Sequence, residues 1–127
     1  MKQAMRFVLV LVGLLNIAIG LGFLLTPHLL AEKFFVSPVG TQGLATIRAD
    51  FPAFFLTGGA CALIGAWRAS TSPLLVPLAL LGCALTGRFV SLALDGAAPT
   101  ALAPMIAEML MIAALALAYR SFAAARD

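Results

Sequence analysis

The sequence predicts an all-α fold, a bundle of four transmembrane helices that forms a single integral membrane domain over residues 1–127. Composition is the first observation behind this prediction. Of the residues, 63% are hydrophobic and 10% are charged, and the mean hydropathy is +1.10, whereas soluble domains are about 25% charged. The second observation is the length of the apolar runs, each enough to cross about 30 Å of hydrocarbon. The same composition excludes a water-soluble fold and a disordered chain.

The first span is predicted at about residues 7–25, because no charged residue stands between Phe7 and Ala31. Lys2 and Arg6 precede it and resemble the basic head of a secretory signal. The apolar part of such a signal is only about 7–15 residues long, however. We therefore expect a permanent membrane anchor.

A short separate helix is predicted next, over about residues 27–36. Thr26 is a favourable N-cap, and Pro27 is well suited to the first helical position. Leucines and phenylalanines accompany Glu32 and Lys33 on this segment, which predicts that it lies in the membrane interface.

The other three spans are predicted at about residues 47–67, 73–94 and 100–119. Residues 37–41 have the composition of a turn and precede the second span, and the polar run of residues 69–73 separates the second span from the third. Each apolar stretch is again long enough to cross the bilayer.

The positions of the basic residues predict the orientation of the bundle. These residues are scattered and do not form the basic patch with interleaved aromatic residues that is typical of nucleic-acid binding. Lys33 and Arg48 fall at one end, and Arg88 lies within a span. Five basic residues fall at the other end: Lys2, Arg6, Arg68, Arg120 and Arg126. The positive-inside rule therefore predicts that both termini are cytoplasmic. In a bacterial inner membrane the opposite end would face the periplasm.

Metal, cofactor and standard catalytic signatures are not found in the sequence. Cys61 and Cys83 lie in apolar runs without a CxxC motif, and His28 has no second histidine near it. No nucleophile elbow, Walker loop or HExxH motif occurs. We therefore assign no catalytic residue, metal or cofactor from sequence.

Small residues at four-residue spacing predict where helices pack closely in lipid. Asn16, in the middle of the first span, is predicted to form a hydrogen bond between helices rather than to contact a ligand. Two stripes of small residues predict a close hairpin of the second and third spans. The stripes are Gly58, Ala62, Ala66 and Cys83, Gly87, Ser91.

The central prediction is an ion pair between Arg88 and Glu108. A charged side chain at the bilayer centre costs about 2.5–3.5 kcal/mol, so such charges normally face protein or water. Arg88 lies seven residues before Asp95, which marks the outer end of the third span, and Glu108 lies eight residues into the fourth. At about 1.5 Å per residue these depths agree, as a lateral pair requires.

Other polar residues of the spans also fall in the outer half and predict a polar cluster there. Its predicted members are Arg48, Asp50, Arg88, Ser91, Asp95 and Glu108. One interpretation is that these charges only neutralise one another and hold the bundle together. The other is a ligand-binding pocket that opens outward and is walled by Phe51, Phe54 and Phe55. Asp50 can equally serve as a helix N-cap.

Three local patterns carry a resemblance to a known family. They are Ile47–Phe51 at the head of the second span, Gly87–Ser91 leading to Asp95 and Gly96, and Glu108 in the last span. On these residues the chain resembles the bacterial four-helix membrane proteins of domain-of-unknown-function family 4345. The resemblance implies an inner-membrane bundle without an assigned activity, remotely similar in plan to DoxX-like proteins.

The resemblance covers nearly the whole chain, as far as Tyr119. Members of the family have an aromatic residue and two glycines after the Arg-Ala-x motif, where this chain has Phe51, Pro52 and Ala53. A different backbone geometry is therefore expected at the head of the second span.

Three functions remain open on the sequence. The first is binding or carriage of a small amphipathic or lipid-like molecule, with Arg88 meeting an anionic head group and Glu108 holding Arg88. The second is an accessory subunit that docks on another copy or on a larger membrane complex through its small-residue stripes. The third is an isomerase-type membrane enzyme with Glu108 or Asp50 as proton carrier. The absence of catalytic signatures favours a role other than catalysis, and membrane lipids are expected partners in every case.

Overall fold

The structure, a computed structural model, describes residues 1–124 and is helical in that range, without β-strands. Arg126, one of the basic residues counted for orientation, lies outside the described residues. A short 3-10 turn spans Ser72–Leu74. The five α-helices are α1 (Lys2–Leu25), α2 (Pro27–Lys33), α3 (Gly40–Arg68), α4 (Leu75–Leu94) and α5 (Leu102–Ala123).

Four of these helices, α1, α3, α4 and α5, are long and apolar enough to cross a membrane. Together they indicate a multi-pass membrane protein, as the apolar runs of the sequence predict. α2 has only seven residues and is too short to cross.

The four long helices form an antiparallel bundle in which α1 and α4 each pack against both α3 and α5. α1 therefore lies diagonally across from α4. We call the end that carries Lys2, the α3–α4 connection and Ala123 the terminal end. The opposite end, with residues 26–39 and 95–101, is called the loop end.

The closest helix contact joins α1 and α3 through glycines. A Cβ atom at Gly59 would lie 2.8 Å from the backbone oxygen of Gly13, and one at Gly13 would lie 2.7 Å from the side chain of Leu63. Because no side chain separates the backbones there, the helices pack at a distance that only glycine permits. Along the same interface Gly20 meets Leu56.

The predicted close hairpin of the second and third spans is only half correct. Its α3 stripe is buried, and a Cβ atom at Gly58 would lie 3.6 Å from Leu80 of α4. Cys83, Gly87 and Ser91 of the α4 stripe are exposed instead, and nothing lies within 4 Å of a Cβ atom at Gly87. Small-residue spacing does not identify which helix, if any, covers a stripe, and here α1 provides the close partner of α3.

Two separate hydrophobic clusters occupy the interior. The larger one lies toward the terminal end and joins α1, α3, α4 and α5 through residues such as Leu9, Leu115 and Phe122. The smaller one lies at the loop end and is built around Phe23 and Ile47. Between them, Asn16 donates a hydrogen bond to Met111 of α5 at 3.6 Å, the interhelical contact predicted for it.

The helix of the second span begins at Gly40, seven residues before the predicted start. Its first turns are polar, so the apolar pattern marks the start of the span but not that of the helix. Asp50 consequently lies inside α3 and is not its N-cap. Pro52 is also inside α3 and provides no N–H for the carbonyl of Arg48, a local departure from regular helix geometry.

α2 ends at Lys33, three residues before the predicted end. The N–H of Val36 donates to the oxygen of Ala31, the N–H of Phe35 donates to that of Glu32, and Phe35 has a left-handed φ of 58°. This is a Schellman helix ending with phenylalanine where glycine is usual, so the sequence pattern does not predict it. The hydroxyl of Thr26 donates back to Gly22 of α1 and does not cap α2.

Candidate binding site at the loop end

Aromatic packing builds one side of the candidate site. Phe23 of α1 contacts Phe51 and Phe55 of α3, with ring centroids 4.5 and 5.9 Å apart. Phe34, just after α2, packs edge-on against Phe23 at 4.9 Å and against Phe55 at 5.8 Å. Phe51 and Phe55 are one helical turn apart and so share a face of α3. The α2–α3 connection is thereby held over the end of the bundle.

The ion pair predicted between Arg88 and Glu108 is present. The Nε atom of Arg88 donates to both carboxylate oxygens of Glu108, each at 2.9 Å. Each residue lies six positions from the loop end of its helix, a depth of about 9 Å. The Glu108 side chain is 10% exposed and that of Arg88 is 38% exposed.

The guanidinium of Arg88 is engaged on one side only. Both hydrogen bonds to Glu108 start from Nε, and in the part of the chain described, neither Nη atom has a protein acceptor. A guanidinium has five N–H donors, so the two Nη groups retain four donors for another acceptor. Glu108 thus fixes the orientation of the Arg88 side chain and leaves the terminal hydrogen-bond donors of Arg88 free.

A first cavity of about 280 Å³ opens at this level between α3, α4 and α5. Its wall is largely apolar, and the charged residues that line it are Asp50, Arg88 and Glu108. The aromatic residues of its wall are Phe34, Phe51, Phe54 and Phe55. The three phenylalanines predicted as a pocket wall therefore do line a cavity.

A second cavity of about 230 Å³ adjoins the first and lies under the α4–α5 connection. Arg88 and Phe34 line both cavities, and Ser91 lines the second. Arg88 is therefore the charged residue that lines both cavities. Its free Nη groups are the donors that it can still offer to a ligand in either cavity.

Of the other residues of the predicted cluster, Asp50 lines the first cavity with the ion pair, whereas Arg48, Ser91 and Asp95 make no hydrogen bond to it. Arg48 is exposed, lines neither cavity and makes no hydrogen bond within residues 1–124. Ser91 donates a hydrogen bond to Asp95 at 2.8 Å, and both are exposed. Only Glu108 is buried, so the six residues do not form one buried cluster. Helical spacing correctly predicted that Arg88 and Glu108 lie at the same level, but it did not fix how each side chain is directed.

Phe34 is the residue of this site that sequence reasoning missed. The sequence predicts it on an interfacial helix, whereas it lies beyond α2 and packs inward on three other phenylalanines. The available signal was the excess of phenylalanine in two short segments, residues 34–35 and 51–55. Aromatic pairs at such spacing attract one another when the chain brings them together.

The site has the groups to bind an anion next to an apolar surface. Across residues 1–124, no three His, Cys, Asp or Glu side chains approach closely enough to hold a metal ion. Both oxygens of Glu108 are engaged by Arg88, which leaves this carboxylate poorly placed to accept a proton from a substrate.

Comparisons with known proteins add no assignment. No protein-family model, curated protein or solved structure matches this chain. The resemblance to family 4345 consequently stays a prediction from the residues that carry it.

Proposed function

We propose that this chain is a multi-pass protein of a bacterial inner membrane that binds or carries a small amphipathic or lipid-like molecule at its loop end. The observation that carries the proposal is the one-sided engagement of Arg88, whose Nη donors remain free between two cavities. An intramembrane charge that is held in place and keeps free donors is typical of a functional site.

The ligand's anionic group would accept hydrogen bonds from the Nη atoms of Arg88, while its apolar part lies against the phenylalanines. Charge-assisted hydrogen bonds of this kind are stronger than neutral ones, and more so away from bulk water. Glu108 acts as a positioning residue, since it orients the guanidinium from the opposite side. A cavity of about 280 Å³ is close to the lower limit of ligand pockets, about 300 Å³, which favours a small ligand or a head group.

The proposed orientation puts the terminal end in the cytoplasm and the loop end in the periplasm. Its support is the distribution of Lys and Arg: Lys2, Arg6, Arg68 and Arg120 lie at the terminal end, whereas Lys33 and Arg48 lie at the loop end. An excess of basic residues is typical of the cytoplasmic side. The site would then open toward the outer leaflet, and the short α2 would lie in its interface.

Arg88→Lys tests the proposal with little effect on the fold. Lysine keeps the positive charge for Glu108 but has no planar fork with free terminal donors. We expect the affinity for a single-chain anionic lipid, lysophosphatidate, to fall about tenfold, which corresponds to about 1.4 kcal/mol. Native mass spectrometry of the purified protein in maltoside detergent measures the binding, with monoacylglycerol of the same chain length as the uncharged probe.

Arg48→Lys is the matched control, because Arg48 is exposed and lines neither cavity. We expect it to bind lysophosphatidate as the unmodified protein does. Equal affinity of the unmodified protein for lysophosphatidate and monoacylglycerol, or an unchanged affinity in Arg88→Lys, contradicts the proposed function.

A second candidate function is an accessory subunit of a larger membrane complex or a homo-oligomer. The observation that favours it is the open space beside Gly87 on the exposed stripe of α4. Helices with small residues on one face can approach closely in lipid. Gly87→Leu separates the two candidates: it disrupts docking through α4 and leaves anion binding at Arg88 intact.

A further inference from the structure

The charges that line the first cavity do not balance. Arg88 and Glu108 neutralise each other at 2.9 Å, whereas Asp50 has no hydrogen bond or ion-pair partner among the described residues. Two carboxylates and one guanidinium give the lining a formal net charge of −1. A purely anionic ligand at Arg88 would therefore share the cavity with the exposed, unpaired carboxylate of Asp50, and like charges repel one another.

The aromatic wall of this cavity also favours a positive charge. Phe34, Phe51, Phe54 and Phe55 line it together with Asp50. The rings of Phe54 and Phe55 are 5.1 Å apart and inclined at 77°, and those of Phe34 and Phe55 are 5.8 Å apart at the same inclination. A cation within about 6 Å of a ring face is attracted by its quadrupole.

The first cavity thus combines features that attract a cation with a guanidinium that attracts an anion. We propose, on the basis of the proposed function, that the ligand is a zwitterion with an ammonium group a few bonds from a phosphate. The ammonium would lie among the phenylalanines beside Asp50, and the phosphate would accept hydrogen bonds from the Nη atoms of Arg88. This charge arrangement is that of a phosphocholine or phosphoethanolamine group.

The volume of the first cavity, about 280 Å³, suits such a group but not a whole phospholipid. The acyl chains of a lipid would have to remain outside it. The same chemistry is available from a zwitterionic lipid head group or from a free soluble zwitterion, so the test includes both sources.

The test compares probes on the purified full chain in maltoside detergent, with native mass spectrometry as the readout. The probes are lysophosphatidylcholine, lysophosphatidate of the same chain length, and free phosphocholine. We expect lysophosphatidylcholine to bind about tenfold more tightly than lysophosphatidate, because it alone brings a cation to Asp50. Tight binding of free phosphocholine assigns the ligand to a soluble zwitterion, and binding of the lysolipid alone assigns it to a lipid head group.

Asp50→Asn removes the unpaired charge with little change in shape. It should lower the affinity for lysophosphatidylcholine about tenfold and leave that for lysophosphatidate unchanged or higher. Asp95→Asn is the control, since Asp95 is also a carboxylate of the loop end but lines neither cavity. It should change neither affinity.

The inference is overturned if lysophosphatidate binds as tightly as lysophosphatidylcholine in the unmodified protein. This comparison needs no variant and so does not depend on the folding of Asp50→Asn. In that outcome the proposed function stands as long as Arg88→Lys weakens lysophosphatidate binding. If neither lysolipid binds in a manner that depends on Arg88, the proposed function and this inference both fail.

Discussion

Arginines at the two ends of the bundle are used in opposite ways. At the terminal end, Arg6 of α1 donates from Nε to the oxygen of Ala66 at 2.8 Å and from Nη2 to that of Trp67 at 3.0 Å. Both oxygens belong to the last turn of α3, where carbonyls lack helical partners and a positive charge is favourable. At the loop end, Arg88 donates to a side chain from Nε alone and keeps its terminal nitrogens free.

The packing around the two arginines also differs. Arg6 lies at the α1–α3 interface, where glycines bring the two helices close together, although a cavity of about 460 Å³ lies between α1 and α5 at the same end. Arg88 lies where α3 and α5 are diagonal to one another and two cavities remain between the helices. A guanidinium bound to the end of a helix is a structural feature, whereas one whose terminal nitrogens stay free beside a cavity is a candidate binding group. Three sets of substitutions test this contrast.

The largest effect is expected from reversing one charge of the ion pair. Arg88→Glu and Glu108→Arg each place like charges together inside the bundle. Each should lower the free energy of unfolding by about 3 kcal/mol. This value is at the low end of the range for breaking a buried ion pair, because Arg88 is partly exposed. The double variant should recover most of this loss. Unfolding in mixed micelles at increasing dodecyl sulfate, followed by circular dichroism, measures all three.

The double variant also separates stability from binding. Its arginine would start from α5 and could not direct the Nη groups into the same space, so we expect lysophosphatidate binding to stay lost. Recovery of both properties would mean that the direction of Arg88 is unimportant. Failure to recover stability would mean that the two residues are not energetically coupled.

An intermediate effect is expected where α1 and α3 touch. Gly59→Ala puts a methyl group 2.8 Å from the backbone oxygen of Gly13, which cannot move without displacing the helix. We expect a loss of about 1–3 kcal/mol in the free energy of unfolding, measured in the same micelles. Gly87→Ala is the matched control, because nothing lies within 4 Å of its Cβ position. Equal losses in both variants would contradict the close contact of α1 with α3.

The smallest effect is expected at Arg6. Arg6→Met keeps an apolar stem of similar length to the aliphatic part of arginine but removes both hydrogen bonds to the end of α3. The loss should be about 1 kcal/mol, since one of the two bonds is solvent-exposed. Lys2→Met removes a charge from the same end without removing a hydrogen bond to α3 and should change stability by less than about 0.5 kcal/mol. If the two variants lose equally, charge and not hydrogen bonding explains the effect.

Much of the fold could be predicted because hydrocarbon imposes simple rules on a sequence. Four long apolar helices follow from the need to satisfy every backbone group within the membrane. The Arg88–Glu108 pair could be predicted for a related reason: intramembrane charges are few, and these two lie at equal depth on helices that follow one another in the chain. The position of Phe34 could not be predicted, because it depends on where α2 ends.

The sequence by itself determined the number of long helices, their approximate limits and the level of the buried charges, since hydropathy and the rise per residue act along each helix separately. Only the tertiary structure decided which helices touch. It directed the stripe of α4 outward, brought Gly13 against Gly59, and separated Arg48 from the ion pair. The reason is that rotation of each helix about its axis is set by the packing of all neighbours together, and apolar residues surround every helix here on nearly all sides.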